Sequence, residues 1–111
     1  MIELIVKDFL QSKLPQKVYM EYPEKPPERF FLLRRSGQGR EDMLETSTLI
    51  LDSYGQTLLE AARLNEAGKA AMDELTELDE VTSSKRSGDY PLEDTQNKRY
   101  RYQAVQTITH Y

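Results

Sequence analysis

Apolar residues at the start of the chain recur at spacings of three and four, the period of one face of an α-helix. The segment covers residues 2–14, and its apolar positions are Ile2, Ile5, Val6, Phe9 and Leu10. The helix is expected to end there, because Pro15 disfavours the helical conformation at the residue before it. The pattern therefore predicts an amphipathic N-terminal helix.

Three segments with strand patterns follow this helix. Residues 17–22 alternate between apolar and polar side chains, whereas residues 29–35 and 47–54 contain large apolar residues at consecutive positions. Consecutive apolar residues occupy both faces of a strand, so both faces need cover. We expect the chain's own helices on one face and either more helix or another subunit on the other.

The segments between these strands are rich in proline, glycine and polar residues. Residues 23–28 contain three prolines, which predicts an extended, solvated connector. Residues 36–42 read SGQGRED, and the two glycines make their backbone permissive. We therefore expect a long hairpin whose flexible tip projects from the body of the protein.

A second helix is predicted over residues 56–78, where small apolar residues form one broad side. Gly68 lies inside this pattern, where glycine costs about 1 kcal/mol relative to alanine. It marks either a bend or close packing against the sheet. Residues 79–85 form a candidate short strand, and residues 86–97 a turn-rich loop.

The end of the chain, residues 98–111, alternates like a final strand. One face carries Tyr100, Tyr102, Ala104 and Ile108, and the other carries Arg99, Arg101, Gln103 and Thr107. The order of elements is α-β-β-β-α-β-β. It predicts an α+β fold in a single domain of residues 1–111, with a small antiparallel or mixed sheet flanked by the N-terminal helix and a longer central helix.

Composition narrows the classes of function. The 111 residues include no cysteine, which excludes disulfide bonds and thiolate chemistry. The formal net charge of -4 makes the chain a poor non-specific DNA binder, because such binding depends on Lys and Arg replacing counterions. No segment approaches the roughly 20 apolar residues of a membrane span. Charged residues interrupt the N-terminal apolar positions, so we expect neither a signal peptide nor a membrane partner.

The residues that usually carry catalysis or bind cofactors are scarce. His110 is the only histidine, and its place beside the chain end predicts a solvated side chain without the second shell that orients a working imidazole. The sequence has no phosphate-binding glycine motif and no His or Cys spacing typical of a metal site. We therefore expect no catalytic, metal or cofactor-binding residues and no enzyme activity.

Two opposite clusters of charge are the most informative feature of the chain. The acidic cluster comprises Asp73, Glu74, Glu77, Asp79 and Glu80, and the basic cluster comprises Lys98, Arg99 and Arg101. Such clusters can attract each other across molecules in a head-to-tail contact that closes into a ring. They can equally pair within one monomer, or lie on solvated faces. The predicted oligomer interface consists of Arg99, Arg101, Asp73, Glu74 and Glu77.

Several stretches give the chain a resemblance to a known family. They are VYMEYPEKPPERFFLLRRSG, TSTLILDSYGQTLLEAARLNEAGKAAMDEL and YRYQAVQTITHY. Together with the N-terminal helix, they resemble the small tail-terminator or tail-completion proteins of long-tailed bacteriophages, over nearly the whole chain. The resemblance implies an α/β fold in which helices pack on a small sheet. It also implies assembly into a ring, typically a hexamer, on the end of a finished tail tube.

The resemblance further implies that the ring stops polymerisation of tail-tube subunits and presents a surface to the head-to-tail connector. The implied partners are copies of the chain, the tail tube protein and the connector protein, with DNA only passing through the ring. The implied location is the virion tail, assembled in the bacterial host cytoplasm. We predict that the hairpin residues Arg34, Arg35, Gln38, Arg40 and Glu41 dock to a partner and become ordered on binding.

Two other functions remain open from the sequence. A head-closure or connector component on the capsid side would share this architecture. A small nucleic-acid-binding module would need a broader basic surface than three residues on an acidic chain.

Overall fold

Two helices lie on one face of a five-stranded mixed sheet. The computed structural model describes residues 1–41 and 43–111, without the side chain of Glu41. The elements in chain order are α1 (Ile2–Lys13), β1 (Val18–Tyr19), β2 (Phe30–Glu41), β3 (Leu44–Gly55), α2 (Leu58–Asp73), a short 3-10 helix (Glu74–Glu77), β4 (Val81–Pro91) and β5 (Tyr100–His110). This confirms the predicted α+β class and the predicted order of elements.

The strands are arranged in the order β1-β2-β3-β5-β4. β1 pairs with β2 in parallel, and every other pair is antiparallel, so the sheet is mixed. The last strand of the chain therefore lies inside the sheet, between β3 and β4. Because of this position, side chains near the end of the chain contribute to the core.

The main core lies between the sheet and the two helices. It joins apolar side chains of α1 and α2 to alternate residues of β2, β3 and β5. Representative members are Leu10, Phe31, Leu51, Met72 and Ile108. The helix α2 passes through Gly68 without a break. A Cβ atom at that position would lie 2.8 Å from Leu51 Cδ2, so the glycine allows close packing against the sheet.

The opposite face of the sheet, which we call the open face, is divided into two halves. In the covered half, Phe30, Leu32 and Tyr54 are buried beneath Tyr19 of β1 and Tyr22, which precedes the connector. Phe30 stacks on Tyr54 with ring centroids 4.6 Å apart. The expected second cover for the doubly apolar strand therefore comes from these two tyrosines rather than from another helix or subunit at these positions.

In the other half of the open face, which we call the bare half, strand register brings small side chains together. They are Gly37, Gly39, Thr46, Thr48, Thr107 and Thr109. None of these residues belongs to the helix-covered core or to the aromatic cluster. Thr48 faces Thr107 directly, with their hydroxyl oxygens 3.5 Å apart. Ile50, Val105 and Lys85 border these small side chains on the same face.

Four predicted boundaries are wrong, and for the three strands the reason is that the partner strand decides where pairing ends. β1 covers only two of the six residues predicted for it. Residues 36–41, predicted as a flexible tip, continue β2 in register with β3, with a bulge between Arg35 and Gly37. Residues 86–91, predicted as loop, extend β4 alongside β5. The central helix ends at Asp73 and continues as the 3-10 turn.

The hairpin of β2 and β3 therefore does not project far from the sheet. β5 accompanies β3 as far as the pair between Glu45 and His110, and only the pair between Glu41 and Leu44 lies beyond it. Met43 follows in the connection, with a positive φ of 70° and a side chain that is 88% exposed. We refer to residues 40–45 as the hairpin tip.

Candidate docking surfaces

Arg99, a predicted interface residue, is bound within the molecule. Its Nη2 atom donates to the carbonyl oxygen of Pro27 at 3.0 Å and also to that of Glu28. Its guanidinium lies over the ring of Phe30, 5.4 Å from the centroid, at a distance typical of a cation–π contact. Arg99 therefore fastens the proline-rich connector over the covered half.

Arg101 is also engaged by its own chain. It donates to the carbonyl oxygen of Leu92 at 3.1 Å and to the hydroxyl oxygen of Tyr54 at 3.3 Å. Its Nη1 atom lies 3.8 Å from Oδ2 of Asp52. Both arginines are thus engaged within the molecule, but by backbone carbonyls, Tyr54 and Asp52 rather than by the acidic cluster with which the sequence left pairing open.

Asp52 is a fully buried carboxylate on the open face. Arg34 donates to its Oδ2 atom through Nε at 3.1 Å and Nη2 at 3.0 Å, while Oδ1 is buried without a hydrogen-bond partner. Burial raises the pKa of Asp52 above its usual value, and the charges of Arg34 and Arg101 oppose that rise. Arg34, a predicted docking residue, is thus held in the sheet.

Tyr54 and Asp94 complete this network at the end of the sheet. The Tyr54 hydroxyl donates to Asp94 Oδ2 at 3.1 Å. Asn97 donates to Asp94 through its side chain at 2.8 Å and its backbone N–H at 3.1 Å. Burial raises the pKa of Tyr54 to about 12. Burial also tends to raise the pKa of Asp94, but hydrogen bonds from Asn97 and Tyr54 outweigh it and lower that pKa.

The acidic cluster at the end of α2 has basic partners in the same molecule. Asp73 pairs with Arg86 at 2.6 Å. Lys13 lies 3.2 Å from carboxylate oxygens of both Glu74 and Glu77. These predicted interface residues remain on the surface, but the structure brings them to Lys13 and Arg86 rather than to Arg99 or Arg101. Ion pairs this exposed contribute little to stability.

The remaining predicted docking residues lie along β2. Arg35 contacts Glu3 of α1 at 3.4 Å, whereas Gln38 and Arg40 are exposed near the hairpin tip. The side chain of Glu41 lies outside the described residues. The expectation that this segment is unstructured before binding is wrong for the backbone, because residues 37–41 pair with β3.

His110 departs most clearly from its prediction. It is only 2% exposed because β5 continues through it between β3 and β4. Its Nε2 atom lies 2.9 Å from Ser47 Oγ, and its Nδ1 atom lies 3.1 Å from the carbonyl oxygen of Tyr111, while Glu45 Oε2 is farther away at 3.9 Å. A carboxylate therefore does not orient the imidazole, and Ser47 is only 1% exposed, so a substrate cannot reach the hydroxyl in this conformation.

Exposed apolar side chains are concentrated at the two ends of the sheet. At one end, Tyr100 is 41% exposed and lines three shallow depressions, two of about 330 Å³ and one of about 260 Å³. We define the Tyr100 surface by residues that line them: Leu58, Pro91, Glu93, Lys98, Tyr100 and Arg101. At the other end is the hairpin tip with Met43.

Neither surface can be recognised as apolar from the sequence. Met43 lies in a polar stretch, and Leu58 lies in a helix pattern where leucine normally points to the core. A single exposed leucine or methionine has no sequence signature. The basic residues beside Tyr100 were the only available signal.

The free edges of the sheet carry features that discourage strand addition. β1 pairs only with Phe31 and Leu32, so the rest of β2 has an open edge, and β4 forms the opposite edge. β4 contains two bulges, Lys85, and Pro91 at its end. β2 has its own bulge after Arg35. Bulges, lysine and proline on an edge are devices that prevent edge-to-edge pairing.

Comparisons with known proteins add no family to this description. Neither helix of the described residues is long and apolar enough to cross a membrane. The chain matches no protein-family model, and a search of curated proteins likewise finds no match.

Proposed function

We propose that the protein is a non-catalytic structural subunit that assembles with copies of itself and caps a phage tail tube as a ring. The observation that carries the assembly role is the concentration of exposed apolar side chains at the two ends of a rigid sheet. Exposed apolar groups of this kind are typical of surfaces that other proteins cover. The buried position of Ser47 and His110 supports a role without catalysis.

The role at the tail rests on the resemblance of the chain to tail terminators. In this role the ring occupies the growing end of the tube, so that the next tube subunit finds no vacant edge. The mechanism is steric and needs no cofactor. Gln38, which is exposed on β2 outside the hairpin tip, is the predicted docking residue that we propose for contact with the tube, and the virion tail is the proposed location.

The test is elongation of the cognate tail tube protein with and without this chain, followed by negative-stain electron microscopy. We expect shorter tubes with a ring of density at one end. Gln38→Glu should weaken capping, whereas Lys17→Glu, a charge reversal at an exposed residue beside β1, should not. Tubes that grow to the same length with and without the chain would contradict the tail role.

Two rival functions give different results in simple binding experiments. A head-closure component on the capsid side would be retained by the connector protein and not by the tube protein. A nucleic-acid-binding module would be retained on DNA at low salt and released along a measurable salt slope.

A further inference from the structure

We propose that the hairpin tip of one copy docks, through Met43, on the Tyr100 surface of the next copy. This deepens the proposed self-assembly by naming its contact, and it does not depend on the role at the tail. The occupant of the Tyr100 surface is thus a second copy of this chain.

The hairpin tip has the properties of an anchor. The Met43 side chain is 88% exposed, although the residue is apolar. Its φ of 70° lies in the left-handed region, which costs a residue other than glycine about 1 kcal/mol. Glycine or asparagine at this position would relieve this cost. Stability of the fold therefore does not explain why the residue is methionine. Such local conflicts are expected at functional sites.

Methionine suits this role chemically. Its unbranched, polarizable side chain adapts to irregular apolar surfaces and makes favourable contacts with aromatic rings. Its backbone is held at the end of the sheet by the pairing of β2 with β3, so little backbone conformational entropy is lost when the residue docks.

The Tyr100 surface has the properties of a receptor. It combines the exposed ring of Tyr100 with the aliphatic side chain of Leu58, which is 49% exposed. Tyrosine and arginine are the residue types that most often dominate binding energy at interfaces. The backbone beneath the surface is rigid, since Asp94 and Arg99 exchange two backbone hydrogen bonds of 3.0 and 3.1 Å. The surface is therefore formed before a partner arrives.

The charges of the two ends are complementary. Residues 40–45 contain three acidic residues and one basic residue. On the Tyr100 surface the cation available to a partner is the exposed Lys98, because Arg99 and Arg101 are already bound within the molecule. Complementary charges of this kind fix the orientation of a contact and raise its association rate. Two copies that met tip to tip would instead bring acidic residues together.

The positions of the two surfaces determine the type of assembly. They lie at opposite ends of strands β3 and β5, in a molecule 42 Å long and 24 Å wide. A contact between different surfaces of identical chains is head-to-tail, so it leaves one free tip and one free Tyr100 surface. Such contacts form a ring when the rotation between neighbours closes and a filament when it does not.

A double-mutant cycle tests the contact by sedimentation velocity over a concentration series. Met43→Gly removes the anchor and relieves the backbone cost, so the variant should be at least as stable as the wild type while its self-association weakens at least tenfold. Tyr100→Ala should weaken association to a similar extent. Because both changes remove the same contact, the double variant should lose little more than either single variant.

Leu4→Ala is the matched control, because Leu4 is 47% exposed on α1 and lies outside both surfaces. Thermal unfolding of each variant confirms that the chain is folded. Unchanged self-association in Met43→Gly overturns the proposed contact. Additive losses in the double variant, or a wild type that stays monomeric up to about 1 mM, the concentration range of a very weak complex, overturn it equally. None of these results depends on tube capping, which is measured separately.

Discussion

The two halves of the open sheet face are formed by the same strands but differ in what fills them. The covered half combines stacked aromatic rings with a buried network around Asp52 and Asp94. The bare half presents threonines and glycines that reach neither core. Arg99 and Arg101, near the end of the chain, therefore stabilise the fold. Recognition of a partner falls to other exposed residues.

This division also explains why a cluster of basic and aromatic residues is a poor guide to function. Arg99 and Arg101 are long side chains whose charges are held by carbonyl oxygens and by Asp52. Lys98 is the exposed basic residue of that segment, with a positive φ of 55°. Charge that stabilises the fold and charge that meets a partner are indistinguishable in the sequence.

The largest expected contrast between the halves is in the free energy of unfolding. Phe30→Ala should cost about 3–5 kcal/mol, because it leaves a cavity under the connector and removes the stack with Tyr54. Thr48→Ala in the bare half should change stability by less than about 0.5 kcal/mol. Urea unfolding of the two variants measures the contrast, and equal costs would show that the bare half is structurally as important.

Alkaline titration sharpens the comparison at Tyr54. The folded pKa of about 12 exceeds the ordinary value of 10.0, so the stabilisation is complete below pH 10 and is lost as the pH rises through 12. The wild type should therefore lose about 2 kcal/mol more than Tyr54→Phe between pH 10 and pH 12. If the free energies of unfolding of the two proteins fall equally over that pH range, the result would contradict the buried position of the hydroxyl.

Arg34→Ala tests the ion pair at the boundary between the halves. Removing the guanidinium leaves Asp52 buried with Arg101 alone, which should cost about 2 kcal/mol at pH 7. Burial already raises the pKa of Asp52, and the substitution raises it further. The cost should therefore shrink as the pH falls toward 4 and the carboxyl becomes protonated.

Lys85→Ala is the matched control for Arg34→Ala, because Lys85 is an exposed cation on the same face. Its effect on stability should be close to zero at either pH. Equal effects for the two variants would mean that the contact with Asp52 does not stabilise the fold.

The smallest expected effect is a gain in stability in the bare half. A Cβ atom at Gly37 would meet only Thr48, at 3.8 Å, so Gly37→Ala should stabilise the protein by about 0.5 kcal/mol. Gly39→Ala should gain less, because its Cβ would lie 2.8 Å from Thr46 Oγ1. Thermal unfolding of both variants measures the difference, and a clear loss at Gly37 would show hidden packing there.

The helices and the order of elements along the chain could be predicted because periodicity depends on local sequence. The extent of β2 and β4 could not, since both run beyond their apolar residues through pairing with β3 and β5. The burial of His110 had the same origin, because an end strand in the sequence became an inner strand in the sheet.

The partners of the predicted interface residues were hidden for a related reason. Pro27 and Glu28 bind Arg99 through backbone oxygens, which every residue possesses. Asp52 lies within the apolar stretch LILDSY, where only the folded register places it beside Arg34 and Arg101.

Oxidation of methionine by dilute peroxide, read by mass spectrometry at low and high protein concentration, tests most directly whether the chain docks on its own copies. Met43 and Met1 are both exposed, at 88% and 75%, whereas Met72 is fully buried. We expect Met43 to be protected when the protein is concentrated, with the half-buried Met20 oxidised at an unchanged rate and Met72 slow throughout. Met1 lines one depression together with Glu45 of the hairpin tip, so its rate is not used as a reference. If Met43 is oxidised equally fast at both concentrations, the hairpin tip does not dock.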